Sequence, residues 1–305
     1  MTFWDNIEQI ANPAGILTIW AFPIVIGIPA MGYLMETIAL FFVILFSFRK
    51  RYLFLTVSIL GSMITLILVY GADILVISMW AKAILPGALL GYLIASGMAV
   101  SRVFLVSILS ITGIVLILFL QEKTAIFQAL DKALVWIENG LAGTPNQGIE
   151  MIEVMRKTVT VIKRLMPAIM ILSVITQLFV GWVLLVIFLK AIGEFFPGFV
   201  NFYYWKMPDF YLPVIGIVMI TRLLGGDLLK VVADNLILFI GFFYAAFGFA
   251  LFEYYLKKIK LSLFLRVLFY IGFIFLQLPG LILAAVVGLF DSYFDFRNVK
   301  ARMIG

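Results

Sequence analysis

The sequence contains no cysteine and no histidine, and only 12% of its 305 residues are charged. Without cysteine there can be no disulfide, no thiolate nucleophile and no cysteine-bound iron–sulfur cluster. Without histidine the commonest general base and metal ligand is missing. These absences exclude most hydrolytic and redox chemistries, so we expect a protein that is not an enzyme and has no cofactor or metal site.

Recognisable catalytic and nucleotide-binding motifs are also absent. The sequence has no Gly-rich phosphate loop, no Ser-centred nucleophile elbow and no HExxH helix. A chain without its own nucleotide site cannot drive transport by hydrolysing ATP. Any active uptake would therefore need an ion gradient or a partner, such as an ATPase or coupling module.

Apolar residues make up 65% of the chain, whereas a soluble domain of this length would have about a quarter of its residues charged. This composition predicts a protein embedded in a lipid bilayer. The formal net charge of +6 is then no sign of nucleic-acid binding. Basic residues lie mostly in short runs between apolar segments, where they set orientation and contact anionic lipid headgroups.

Apolar stretches of about 20 residues, the length needed to cross a bilayer, recur along the chain. They predict an all-α, polytopic transmembrane bundle of about eight to nine spans, located as a multi-pass protein in a bacterial cytoplasmic membrane. We expect one integral membrane domain in three parts. Residues 1–120 form a five-span half, 121–164 an amphipathic surface hairpin, and 165–305 a half of three to four spans.

The segment from Gln121 to Arg164 is the only long run that water could plausibly solvate. Apolar residues recur at helical spacing in Thr124–Ala142 and again in Ile149–Arg164. Turn-forming residues at 143–148 join these two stretches. The pattern predicts a helical hairpin that lies along the membrane surface.

The last apolar segment, Leu261–Phe290, has 30 residues, too many for one untilted span and too few for two. Pro279 and Gly280 lie inside it. The segment is either one kinked span or a span with a half-helix, and the side of the carboxyl terminus depends on which.

Polar side chains inside predicted spans are costly and therefore count as candidate functional groups. Glu36 and Lys82 lie near span ends, where a long side chain also reaches the interface. Gln177 and Gln277 lie deeper and should face protein or a cavity, where an interhelical hydrogen bond is the alternative to a ligand. The candidate solute-facing residues are Glu36, Gln177, Gln277 and Asn235.

Small residues at every fourth position allow a second helix to approach closely. Such a stripe serves either a partner subunit or a helix of the same chain. The candidate helix-docking residues are Gly87, Gly91, Ala95 and Ala99 in the fourth predicted span, and Gly280, Ala284 and Gly288 in the last.

Several short motifs resemble the YybS-like family of predicted bacterial membrane proteins, for which no biochemical activity is established. They lie along most of the chain. The motifs are Leu85-Pro86-Gly87 with Gly91-Tyr92, Tyr204-Trp205-Lys206-Met207-Pro208, Asn235-Leu236, and the ending Gly288-Leu289-Phe290-Asp291-Ser292-Tyr293-Phe294-Asp295-Phe296-Arg297.

That family is distantly similar to the substrate-binding S components of energy-coupling-factor transporters. The resemblance implies capture of a small solute and docking on a separate energising module. The sequence departs from the S-component pattern because it has more than six spans and no clean Ala-x-x-x-Ala contact in its first span. The family-like ending contains Asp291, Asp295 and Arg297, where an Asp–Arg pair would anchor the last helix.

Two functional hypotheses follow. The leading one is an S-component-like subunit that binds a small solute between its spans. The alternative is a non-transporting membrane scaffold for cell-envelope, division or sporulation proteins, which would use the hairpin and the small-residue stripes as docking faces.

Overall fold

The computed structural model describes residues 13–21, 29–71, 74–98, 100–141, 147–194, 202–205, 207 and 211–297. Most of these residues are helical, and no β-strand occurs among them, which confirms the predicted all-α class. The helices are α1 (13–21), α2 (Pro29–Phe48), α3 (Tyr52–Tyr70), α4 (Ile74–Ala95), α5 (Val100–Leu141), α6 (Gln147–Ala191), α7 (Tyr211–Leu224), α8 (Asp227–Lys258) and α9 (Leu263–Phe294), with a short 3-10 helix at Phe202–Tyr204.

Five helical segments in the described part of the chain are long and apolar enough to cross a membrane. Four shorter apolar segments accompany them. A multi-pass membrane location follows from this pattern, whereas the count of eight to nine spans stays a prediction. The five segments are Tyr52–Tyr70, Leu105–Gly140, Glu150–Ala191, Asp227–Lys258 and Phe275–Phe294, and the shorter ones are Leu34–Phe48, Trp80–Ala95, Tyr211–Leu224 and Leu263–Phe273.

Helices α5 and α6 contain 42 and 45 residues. At about 1.5 Å per residue each is roughly twice as long as the hydrocarbon core is thick. Gln121 and Arg164, the predicted limits of the surface hairpin, lie inside these helices and not at their ends. No glycine or proline interrupts α5 near Gln121, so nothing ends the helix there.

The two amphipathic stretches are therefore continuations of longer helices. Residues 143–146 of the predicted turn lie outside the described residues, whereas Gln147 and Gly148 already belong to α6. The position of the hairpin on a membrane surface stays a prediction.

The end of α4 is marked by a glycine. The helix covers Ile74–Ala95. Gly97, the second residue after this helix, has φ of +75°, a left-handed conformation that glycine adopts readily.

The chain forms two compact units, and α6 contributes to both. Unit 1 comprises Met1–Met155 with Ile169–Phe199, and unit 2 comprises Arg156–Ala168 with Val200–Gly305. These units do not coincide with the predicted segments 1–120, 121–164 and 165–305, which stay a prediction.

In unit 1, α2 packs most closely against α4. Gly91 allows the approach, since a Cβ placed on it would lie 2.5 Å from the carbonyl oxygen of Ile44. Gly87, one turn earlier, faces Val43 and Leu40 less tightly, since its Cβ would lie 3.3 Å from Val43 and 3.6 Å from the carbonyl oxygen of Leu40. Because the later residue of α4 contacts the later residue of α2, the two helices run in the same direction. The core around them contains Ile19, Ala39, Val43, Phe46, Leu66, Trp80 and Ile84.

In unit 2, α8 is the central helix and packs against α7, α9 and the 3-10 helix. Its tightest contact is with α9, where a Cβ on Gly248 would lie 1.9 Å from the carbonyl oxygen of Ala284. The buried core includes Met207, Val218, Ala233, Ile240 and Tyr244.

Helix α9 is kinked at Gln277, whose backbone has φ of 49° and ψ of −127°. Phe273 precedes the kink and packs edge-to-face against Phe249, whereas Ala284, eleven residues later, contacts Gly248. Gly248 and Phe249 are adjacent residues of α8, whereas their contact residues on α9 are three turns apart. The kink therefore redirects α9 relative to α8, and Pro279 explains it because proline cannot donate a helical hydrogen bond.

Candidate functional site

The side chains of Glu36 and Gln177 meet between α2 and α6 in unit 1. Nε2 of Gln177 donates to Oε2 of Glu36 at 2.8 Å, and Gln177 is buried. Further along, Arg49 forms an ion pair with Glu194 at 2.7 Å. The residue numbers of both partners increase from the first contact to the second, so this part of α6 runs in the same direction as α2. Two predicted solute-facing residues, 141 positions apart in sequence, are thereby brought into contact.

Lys82 and Glu122 complete this group, which we call the Glu36 cluster (Glu36, Lys82, Glu122 and Gln177). The positive charge of Lys82 interacts with the carboxylates of both Glu36 and Glu122. Glu122 is only 7% exposed, and its buried Oε1 atom has no hydrogen-bond partner in the described part of the chain. The cluster therefore contains two carboxylates, one amide and one ammonium group among apolar helices.

Sequence reasoning missed Glu122 because it assigned Gln121–Arg164 to the membrane surface. The available signal was its position directly after the apolar run that ends at Leu120. A buried carboxylate oxygen without a donor is costly, so this group can accept a hydrogen bond from a polar ligand. Within the described residues no three Asp, Glu, His or Cys side chains come together as metal ligands.

Asn235 has a different environment from the one predicted. In unit 2 its Nδ2 atom donates to the carbonyl oxygens of Arg164 and Val231, at 2.9 and 2.8 Å. Its Oδ1 atom accepts from the backbone N–H of Ala168 at 3.0 Å. Arg164 and Ala168 flank Pro167, a helix-interior proline that disturbs the backbone ladder. The amide of Asn235 thus bonds backbone groups next to a proline and needs no solute to satisfy it.

Asp234, the neighbour of Asn235, lies between two arginines. Its Oδ2 atom pairs with Nη2 of Arg164 at 2.6 Å, and its Oδ1 atom pairs with Nε of Arg222. The side chain of Asp234 is 19% exposed, whereas those of Arg164 and Arg222 are 34% and 40% exposed. One carboxylate therefore holds two guanidinium groups, and the group carries a net positive charge.

The prediction that Gln277 faces protein or a cavity is wrong. The residue is exposed and forms the kink of α9. Pro279, two residues later, removes a hydrogen-bond donor from the helix, and the chain breaks at Gln277. Gln277 therefore does not join Glu36 and Gln177 in the candidate site.

Asp291 and Arg297 form a buried ion pair, the anchor expected from the sequence. Nη2 of Arg297 lies 2.6 Å from Oδ2 of Asp291, and both residues are 1% exposed. Arg297 also donates to the carbonyl oxygens of Tyr203 and Trp205, each at 2.7 Å. The pair thus connects the end of α9 to the aromatic segment before α7.

Asp295 does not extend this face, because α9 ends at Phe294 and Asp295 adopts a left-handed conformation as the C-cap. Asp295 therefore takes no part in the side-chain bonds between Asp291 and Arg297.

Both small-residue stripes are used inside the chain. Gly87 and Gly91 face α2, and Gly288 faces α8 so closely that a Cβ would lie 2.1 Å from the carbonyl oxygen of Tyr244. Gly280 faces its own helix at the kink, and Ala284 is fully buried. Ala95 is the last residue of α4, and Ala99 lies outside the described residues. Gly87, Gly91 and Gly288 therefore pack against helices of the same chain, and docking of a partner subunit on the stripes stays a prediction.

Residues 16–292 match the model of a family described as "Predicted membrane protein (DUF2232)". The chain belongs to this family. No curated protein and no solved structure matches the chain. The match covers the whole Glu36 cluster of this DUF2232 member and also Asp291, whereas Arg297 lies beyond its end. The family description supports the membrane assignment and names no activity.

Proposed function

We propose that this DUF2232 member binds a small polar solute at the Glu36 cluster, as a component of a transport system in a bacterial cytoplasmic membrane. The proposal includes the resemblance to YybS-like proteins and S components, a bundle of eight to nine spans, and no enzymatic activity. The lipid bilayer and an ATPase or coupling module would be its partners.

The observation that carries the proposal is the buried Oε1 atom of Glu122, which has no hydrogen-bond donor among the described residues. In the same cluster, Gln177 donates to Oε2 of Glu36. The free oxygen is an acceptor for a ligand that enters from solution. With Lys82 as the one cation against two carboxylates, the cluster best accommodates a solute that is cationic or rich in hydrogen-bond donors.

Binding is tested by thermal unfolding of the purified full-length protein with vitamins, vitamin precursors, organic amines and metal ions. A ligand present at about 100 times its Kd stabilises a protein by about 2.7 kcal/mol, so binding gives a clear increase in Tm. We expect at least one compound of this panel to raise the Tm.

The variant Glu122→Gln keeps the shape of the side chain and removes its charge, and should weaken the response to that compound about tenfold or more. Glu150→Gln is the matched control, since it makes the same charge change at an exposed position of α6. A protein that responds to no compound, or equal losses in both variants, would disprove solute binding at this cluster.

The link to an energising module is tested separately, by asking whether an ATPase subunit co-purifies with the protein from its own cells. If the protein binds a solute but no ATPase subunit co-purifies with it, it is a binding protein and not an S-component-like subunit.

A scaffold role is the alternative, and the outer parts of α5 and α6 favour it. Trp136 in α5 is 78% exposed, and Val154 in α6 is 57% exposed. Since Gly87, Gly91 and Gly288 pack within the chain, the exposed apolar residues of the hairpin are the surface that we propose for a protein partner. Photo-crosslinking from position 136 should then capture one dominant protein, and capture of lipid only would contradict the scaffold.

A further inference from the structure

The arginine pair at Asp234 in unit 2 lies next to a strongly apolar turn. Arg222 is in the last turn of α7, and Asp227 opens α8 after Gly225 and Gly226. Oδ1 of Asp234 holds Nε of Arg222, and Oδ2 holds Nη2 of Arg164. One carboxylate thus fixes two guanidinium groups on different helices.

Each guanidinium has five N–H donors in a planar fork, and one carboxylate cannot satisfy two of them. Arg222 contacts Asp234 through its Nε atom, and the buried Nε atom of Arg164 has no hydrogen-bond partner among the described residues. The side chain of Arg222 is 40% exposed and that of Arg164 is 34% exposed. Donors and a net positive charge therefore remain available to an anion, and guanidinium groups bind phosphate in a bidentate manner.

The residues that surround these donors indicate where the anion comes from. Four leucines of the turn between α7 and α8 are 50–83% exposed. Such leucines are unfavourable in water and favourable beside acyl chains, at the depth where arginines meet headgroups. The four are Leu223, Leu224, Leu228 and Leu229.

We propose that Arg164 and Arg222 bind the phosphate group of an anionic phospholipid, while the leucines of the α7–α8 turn contact its acyl chains. Asp234 is the internal counter-ion of the two arginines and limits the positive charge of the site. This lipid site lies in unit 2 and is independent of solute binding at the Glu36 cluster.

The ligand is tested with purified full-length protein in a non-ionic detergent. Phosphatidylglycerol and phosphatidylcholine with identical acyl chains are added at equal mole fractions, and inorganic phosphate is added alone in a third series. We expect phosphatidylglycerol to raise the Tm and the other two to leave it unchanged. An equal effect of phosphatidylcholine would show binding through the leucines only, and an equal effect of inorganic phosphate would show a soluble ligand. Either result would overturn the proposal.

The arginine is tested with Arg222→Gln, which should weaken the phosphatidylglycerol response about tenfold. Lys258→Gln, an equal charge change at the other end of α8, should leave the response unchanged. Asp234→Asn should strengthen it, because the two guanidinium groups then lack their internal counter-ion. A purely structural role of the ion pair predicts that both Arg222→Gln and Asp234→Asn lower the basal Tm and leave the lipid response as it was.

If Arg222→Gln does not fold, Arg222→Lys keeps the charge and removes the planar fork. Native mass spectrometry then counts the phosphatidylglycerol molecules that stay bound. Fewer bound molecules than in Lys258→Gln would support the site, and an equal number would disprove it.

Discussion

The backbone N–H of Ala168 donates to the side-chain oxygen of Asn235, which gives α8 a direct bond to α6 immediately after the proline of that helix. The same amide donates to the carbonyl oxygen of Arg164 at 2.9 Å. In an uninterrupted α-helix these two backbone groups would bond to each other. A side chain from another helix therefore replaces part of the ladder that Pro167 disturbs.

Asn235→Ala should destabilise the protein by about 1–3 kcal/mol, since it removes three hydrogen bonds from an apolar environment. Chemical or thermal unfolding of the purified protein in detergent measures this loss. In a Pro167→Ala background the helix can close its own ladder, so the same substitution should cost clearly less. Equal costs in both backgrounds would show that Asn235 does not compensate for the proline.

Gly248→Ala should destabilise the protein by about 1–3 kcal/mol, because the added Cβ would meet the carbonyl oxygen of Ala284 at 1.9 Å and force α8 and α9 apart. Gly241→Ala in the same helix is the control, since no atom of the described residues lies within 4 Å of the added Cβ. That change should be neutral or stabilise by up to about 1 kcal/mol. Unfolding midpoints of the two variants give the comparison, and similar values would argue against the close approach.

Gln277→Gly should stabilise the protein by about 1 kcal/mol, although glycine usually weakens a helix. The backbone of Gln277 has a positive φ that glycine adopts without strain, and strain of this kind costs about 1–3 kcal/mol. Gln277→Ala keeps the Cβ and should bring no gain. The order of the three Tm values, with glycine highest, is the result to look for, and a Tm for the glycine variant below that of the alanine variant would contradict the kink.

The fold class could be predicted because apolar runs of membrane-spanning length are visible in the sequence, and the structure confirms the helices. The helix ends were harder to predict. At Gln121 the composition changes from apolar to amphipathic, and this change looks like a boundary between elements. Composition reflects the surroundings of a helix, however, and only a glycine, a proline or a cap ends one. Helix α5 therefore continues through Gln121 to Leu141.

The candidate site could be predicted in part. Glu36 and Gln177 were selected because polar side chains in apolar spans are costly, and the structure brings the two together. That rule does not identify the hydrogen-bond partner of each polar side chain, so it does not predict the bonds of Asn235 to Arg164 and Ala168. The rule also assumes a regular helix, whereas α9 is kinked at Gln277, two residues before Pro279, and the side chain of Gln277 is exposed.

Arg297→Ala should destabilise the protein by about 3–5 kcal/mol, because it leaves the buried carboxylate of Asp291 without its counter-ion. The carbonyl oxygens of Tyr203 and Trp205 lose their donor in the same variant. Limited proteolysis should then show faster cleavage near residues 202–205, which a general loss of stability elsewhere would not produce.

The double variant Asp291→Asn/Arg297→Gln removes both charges and should unfold at a higher temperature than Arg297→Ala, since the penalty comes from the unpaired charge more than from the lost pair. Lys190→Ala, at an exposed position of α6, provides the control and should change stability by no more than about 0.5 kcal/mol. If the double variant were less stable than Arg297→Ala, the attraction within the pair would outweigh the cost of burying it, and the buried pair would itself be a net source of stability.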